Sequence, residues 1–246
     1  MEVHHHPDVR KKKFKEYLLE GLMIFLAVTM GFFAESLREN IGKNEKERSY
    51  IISLVNDLGA DTASMGFAIE TNKVKIGGLD SVLALAYKDL NDPSVRRSLY
   101  RYAGKYISEY SGFGSNDATM KQLINSGGLQ YIRHPHIADS IAEYDQQVRS
   151  IYASETPYSK SIGDGVDATS EFLVFTVKRD SAAFADKVQP AEQFPLLTND
   201  PVKKAIFFNK IYLEQGWTHN YLRNLKGTLP STKRLIALLK KEYDLE

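Results

Sequence analysis

An all-α chain, with one N-terminal transmembrane helix running into a long-helix bundle domain, is the fold class this sequence predicts. Three observations predict it. Residues 17–34 form an apolar run broken by a single charge, Glu20. From Ile51 to Leu90, positions in unbroken steps of four and three are nearly all apolar, the pattern of a helix with one buried seam. Further on, segments with helical spacing are bounded by capping residues, prolines and glycine pairs, without regular strand-and-turn spacing or a repeat of fixed period.

Composition sets the frame. The 246 residues are 43% hydrophobic and 26% charged, enough apolar content for a sizeable core and too mixed in sign for a disordered tail. Net charge is +1, and the part after position 34 holds 27 basic and 27 acidic residues. That neutrality argues against a nucleic-acid partner, which selects a basic excess. The chain has no cysteine, so disulfides, thiolate catalysis and Cys-based metal centres are excluded.

Residues 1–16 read as a basic tail, with Arg10, Lys11, Lys12, Lys13 and Lys15 clustered just before the apolar run. The transmembrane helix is expected over 17–37. Its apolar part, 17–34, rises about 27 Å at 1.5 Å per residue, close to the roughly 30 Å of a bilayer core. Leu37 and Ile41 extend the apolar side, and Tyr17 stands where an interfacial aromatic belongs. A cleaved signal peptide fits less well, because the region before the run is long and Phe33-Ala34-Glu35 is a poor cleavage site. A buried core helix and an amphipathic surface helix are the other readings; the second conflicts with a segment apolar all round. The basic cluster favours the N-terminus in the cytoplasm and residues 38–246 as an extracytoplasmic, periplasmic domain. Glu20 reads as an interfacial residue before it reads as an intramembrane functional one. Ala27 and Gly31 make a small-xxx-small pair able to seat a second helix.

The seam comprises Ile51, Val55, Leu58, Thr62, Met65, Ile69, Asn72, Ile76, Leu79, Leu83, Ala86 and Leu90. Carried backward it passes Arg48, Asn44, Ile41, Leu37, Ala34 and Met30, so the membrane helix is expected to continue into it, with a bend near Gly42. It fits either the spine of a bundle inside one subunit or a coiled coil between subunits, where Asn72 would fix register. Gly77 and Gly78 either weaken the helix or let a neighbour approach. Next, Asp92-Pro93 caps a helix through about Tyr110, placing Tyr102, Tyr106 and Tyr110 on one face, a possible partner surface or an inter-helix seam. Ser115 or Asn116 caps a short helix to Ser126, stopped by Gly127-Gly128. Pro135 opens a helix that Pro157 kinks or breaks and that Gly163-Asp164-Gly165 breaks again. Phe172–Val177 is helix or short strand, 181–199 a loop, Asp200-Pro201 starts another helix, and Pro230-Ser231 starts the last.

Two blocks carry a resemblance. One is residues 11–40, followed by Glu47, Ile51, Ser53, Leu54, Asp57, Leu58 and Asp61; the other runs from Thr119 to Asp145. Together they resemble a family of uncharacterised single-span membrane proteins common in Bacteroidota. The resemblance implies a bacterial membrane protein with a helical domain and supplies no activity.

Chemistry-bearing patterns are sparse. The N-terminal His4, His5 and His6 lack a helical metal-site spacing, and His134 and His136, with Asp139, match no zinc signature. Ser126-Gly127-Gly128 lacks the Lys of a phosphate loop, and Asp164, Asp167 and Glu171 lack calcium-loop spacing. The expectation is therefore a protein that is not an enzyme and needs no cofactor. It would be anchored in the bilayer and serve as an interaction or scaffold subunit of an inner-membrane complex. Its partners would be proteins, further copies of itself, or both. An extracytoplasmic sensor signalling through its span is the alternative.

Overall fold

The computed structural model describes residues 13–125, 127–174 and 194–245. Five helices account for most of these: α1 (Phe14–Ala84), α2 (Pro93–Tyr106), α3 (Ala118–Asn125), α4 (Pro135–Phe172) and α5 (Pro201–Glu242). Short 3-10 turns follow α1 at Leu85–Tyr87 and precede α4 at Gly128–Tyr131. No strand occurs among the described residues; Leu173 and Leu196 make an isolated antiparallel bridge. The all-α class is thus what the chain adopts. Residues 1–12 of the tail with its three histidines, Ser126, residues 175–193 and Glu246 lie outside the described residues.

The chain divides into two compact units, Met1–Ser49 and Tyr50–Glu246. The described part of the first is helical, long and apolar enough to cross a membrane, with a mean hydropathy of 1.9 over its best 18-residue window and 0% of that window buried. Phe14, Leu18, Leu22, Phe25, Phe32 and Phe33 all expose their side chains, which fits a membrane span better than a buried core helix.

The second unit is a helical bundle. Caps start its helices as the sequence directs: Asp92 accepts a hydrogen bond from Ser94 N at 2.8 Å, and Asp200 from Val202 N at 2.8 Å, each ahead of a proline at the first helical position. Two apolar clusters fill the interior. The first joins Ile51, Leu54, Leu58 and Met65 of α1 to Ile137, Ile141 and Ile151 of α4 and Leu225, Leu235 and Leu239 of α5. The second joins Leu79 and Val82 to Leu99 and Ala103 of α2, Phe172 of α4, and Phe207 and Ile211 of α5. The 51–65 stretch of α1 therefore packs with late α5 and its 79–82 stretch with early α5, so within this unit the two run antiparallel.

Four expectations change. Neither Pro157 nor Pro230 ends a helix: α4 and α5 continue through them. Each proline orphans the carbonyl four residues back, at Ala153 and Lys226, and both residues are exposed, where water can serve that carbonyl. Buried neighbours on both sides, Ser154 and Tyr158 or Leu225 and Thr232, hold the axis together. Gly163 and Gly165 do not break α4 either; Gly165 is buried against Glu214, whose carboxylate fills the space a Cβ would need. α2 stops at Tyr106, so Tyr110 leaves the face of Tyr102 and Tyr106. And Ser115 and Asn116 do not cap α3; the helix starts from Asp117, whose carbonyl accepts from Lys121 N at 2.8 Å.

The seam on α1 needs a finer correction. Ile51, Leu58, Met65, Asn72 and Leu79 are buried as expected. The alternate column is displaced by one residue: Leu54 (1% exposed), Asp61 (1%), Ala68 (0%), Lys75 (1%) and Val82 (0%) face the interior. Val55, Thr62 and Leu83 are half-buried on its flank, while Ile69 and Ile76 are buried beside it. The helix also ends at Ala84, so Ala86 falls in the 3-10 turn and Leu90 beyond it.

Candidate functional site: a buried polar layer

That one-residue displacement adds Asp61 and Lys75 to Asn72 of the expected seam, so three polar residues of one helix stand in the interior of the second unit. Each meets the non-helical linker between α2 and α3, residues 107–117, whose backbone groups need partners because no helix or sheet supplies them. Asn72 donates from Nδ2 to the Ser111 carbonyl at 2.9 Å and to Ala68 O at 2.8 Å. Its Oδ1 accepts from the Tyr158 hydroxyl at 2.8 Å, and that hydroxyl accepts from Ser111 N at 3.2 Å. Tyr221 accepts from Phe113 N at 2.8 Å. The Tyr158 and Tyr221 rings stack at 4.7 Å with 3° between their planes, and Tyr110 also stacks on Tyr158, at 5.6 Å. Burial pushes the Tyr158 hydroxyl up to about 12, so it stays protonated and available to donate.

Asp61 forms a second anchor. Its carboxylate accepts from Ser115 Oγ at 2.7 Å, Asn116 N at 2.7 Å, Asn116 Nδ2 at 3.0 Å and the Tyr144 hydroxyl. Four donors on one carboxylate satisfy a charge that burial alone would penalise.

Lys75 and Glu214 form the third anchor, an ion pair at 2.8 Å with both side chains 0% exposed. Lys75 also donates to the Glu109 carbonyl, and its ammonium lies 5.5 Å from the centre of the Tyr158 ring. Glu214 is less well served. Its contact with Lys75 lacks hydrogen-bond alignment, and neither carboxylate oxygen has a hydrogen-bond partner. Burial accordingly pushes Glu214 up to about 7 against the opposing pull of Lys75, and pushes Lys75 down against the pull of Glu214. The pair stands where the two apolar clusters meet, between Ile76 and Leu79 on one side and Ile211 and Tyr221 on the other.

This layer joins α1, α4, α5 and the linker by polar contacts of fixed geometry. The residues singled out from sequence are distributed differently. Glu20, Ala27 and Gly31 are exposed on the apolar helix, and a Cβ at Gly31 would meet nothing. Tyr102 and Tyr106 stack at 6.5 Å, and the Tyr106 ring lies against Gly78, which supplies the close approach expected near that glycine pair. Tyr110 instead donates to Glu155. His134 and His136 lie ring to ring at 5.7 Å, while Asp164 pairs with Lys160 and Lys210, and Glu171 with Lys203. Asp61, Lys75 and Glu214 were missed as interior residues because charged types read as solvent-facing; the exact seven-residue recurrence of 54, 61, 68, 75 and 82 was the available signal. The chain matches no family model, no curated protein and no solved structure.

Proposed function

We propose that this chain is a membrane-anchored, non-enzymatic interaction protein, an accessory or scaffold subunit of a bacterial inner-membrane complex. The observation that carries the reading is the helix over 17–34, apolar all round, with its side chains exposed and none of its most apolar window buried. Such a surface is stable in lipid and a liability in water. The basic cluster before it favours a cytoplasmic N-terminus and a periplasmic bundle, and the resemblance to the Bacteroidota single-span family implies a bacterial membrane protein with a helical domain. The polar side chains inside the bundle are occupied in holding the linker, which suits a structural domain. Val202, Ile206, Leu213 and Trp217, spaced four, seven and four along α5, leave an exposed apolar face for a protein partner. The test is alkaline extraction of membranes followed by native mass measurement in mild detergent. Retention in the membrane with stoichiometric partners supports the proposal; release by alkali, or a clean monomer at native expression, refutes it.

A sensor reading has one observation in its favour. α1 carries both the apolar run and the Asn72 and Lys75 contacts of the polar layer, so a change in the layer acts on the same helix that would cross the membrane. A small molecule that raises the unfolding temperature of the bundle without altering its partners would favour this alternative.

A further inference from the structure

The last turns of α5 hold a feature that the anchoring reading does not use. Between Tyr221 and Lys241 the chain has six basic residues, Arg223, Lys226, Lys233, Arg234, Lys240 and Lys241, and no acid. Helical spacing puts them on one side: 226, 233 and 240 recur every seven residues, as do 234 and 241. Leu225, Thr228, Thr232, Leu235 and Leu239 take the opposite, buried side. Arg223, Lys226, Lys233, Arg234 and Lys241 are exposed, and no ion pair to a described residue engages them. Several basic residues elsewhere are paired locally, as with Lys121 and Asp117, Lys160 and Asp164, or Lys73 and Glu70.

The position of this stripe in the bundle gives it a partner. Leu235, Leu239 and Tyr243 pack in the same cluster as Ile51 and Leu54, so late α5 lies at the end of the unit where α1 enters. Eight residues lie between Ile41, the last of the apolar side, and Tyr50. Whatever the conformation of that join, it reaches no more than about 30 Å. A tether this short keeps headgroups at high effective concentration around that end of the bundle. We propose that the basic face of late α5 docks on anionic lipid headgroups, so that the bundle rests against the bilayer and its attitude depends on lipid charge. This rests on the anchoring reading. The positive-inside rule does not oppose it, because that rule counts charges close to a span in sequence and not those of a folded domain far downstream.

The absence of cysteine makes a direct test clean. The full chain, with a fluorophore on Ala237→Cys, is placed in nanodiscs of phosphatidylcholine alone, or of phosphatidylcholine and phosphatidylglycerol in equal parts. Some of the headgroups carry a nitroxide quencher. Ala237 is exposed between Lys233 and Lys241. A label on Tyr87→Cys, at a residue 92% exposed beside the start of α5, reports the other end of the unit. The expected result is quenching at 237 that rises about threefold or more with phosphatidylglycerol and falls away as salt goes from about 0.1 M to about 1 M. Quenching at 87 should stay low throughout. Lys233→Glu/Arg234→Glu/Lys241→Glu, checked for retained helicity, should abolish the rise. Equal quenching at 237 in both lipids, with the chain still held in both discs, overturns the docking face alone, and a soluble acidic partner then becomes the better fit. A chain that leaves both kinds of disc overturns the anchoring reading and this inference with it.

Discussion

Replacing Lys75 by Met leaves the Glu214 carboxylate buried, unpaired and without hydrogen bonds. Removing one partner of a buried ion pair typically costs about 3–5 kcal/mol. A ceiling applies, because the carboxyl can take up a proton instead; wild-type Glu214, held at about 7, is already about half neutral at pH 7, and above that pH protonating the orphaned carboxyl costs about 1.4 kcal/mol per unit. Lys75→Met is therefore expected to destabilise by about 3 kcal/mol at pH 9 and by less at pH 7. Glu214→Met leaves an ammonium with the Glu109 carbonyl and the Tyr158 ring, and should cost a similar amount. The double variant removes both charges and restores an apolar layer of similar volume, so it should lie within about 1 kcal/mol of wild type or above it. Urea unfolding of the full chain in detergent, followed by helical circular dichroism with the slope held common, measures all four corners. A coupling energy near zero, meaning the double variant loses the sum of the singles, would refute the claim that these charges matter chiefly to each other.

The same pair sets a pH dependence whose sign can be worked out. Glu214 is held at about 7 in the folded state against 4.5 when unfolded, so between these values the folded state binds the extra proton. Its contribution to stability is full below the unfolded value and is lost as pH rises through about 7. Wild type should thus lose up to about 3 kcal/mol from this group between pH 4.5 and pH 8, and Glu214→Gln should lack that component. Lys75, held low by burial, acts in the opposite sense at higher pH.

Other outcomes follow from the same packing. Gly77→Ala should stabilise by about 0.5–1 kcal/mol, because its Cβ meets open space and helix propensity improves. Gly78→Ala next door should destabilise by about 1–3 kcal/mol, since its Cβ would overlap the Tyr106 ring; thermal unfolding of the two variants, run together, reads the opposite signs. Asp61→Ala abandons the donors of Ser115, Asn116 and Tyr144 and should cost about 3 kcal/mol or more, with faster amide exchange at residues 115 and 116 as the local readout. Tyr158→Phe removes the hydroxyl shared by Asn72 and Ser111 N but keeps the ring stack, so a smaller loss of about 1–2 kcal/mol is expected.

Much of the architecture was legible in the sequence because its signals are local. Asp92-Pro93 and Asp200-Pro201 fix helix starts through one side-chain cap and one pre-set φ, and both act where they were read. Pro157, Pro230 and the Gly163–Gly165 stretch misled for the same reason. A proline costs a helix about 3 kcal/mol locally, but long helices packed on both sides of it recover more than that from burial. The purpose of Gly165 was not legible at all, since the side chain it makes room for arrives from residue 214. Asp61 receives the Tyr144 hydroxyl inside the second unit. That contact spans 83 positions and leaves no periodic trace.

The error in the α1 seam is the more instructive one, because it separates two uses of a heptad. Stepping from 51 by four and then three gives a column of Val55, Thr62, Ile69, Ile76 and Leu83, which apolarity alone prefers. Stepping by three and then four gives Leu54, Asp61, Ala68, Lys75 and Val82, and it is this column that is buried to 1% exposure or less. A helix pairing with its own copy would favour the apolar column, since charges on a dimer axis face their like. A helix at the centre of its own bundle can afford charges there, provided other elements bring the opposite group. Glu214 does so for Lys75, and the linker and Tyr144 do so for Asp61. The buried charges on α1 therefore argue that this face belongs inside one subunit. Any contact α1 makes with a second copy must use its other side, where Phe67 and Val74 stand exposed seven residues apart.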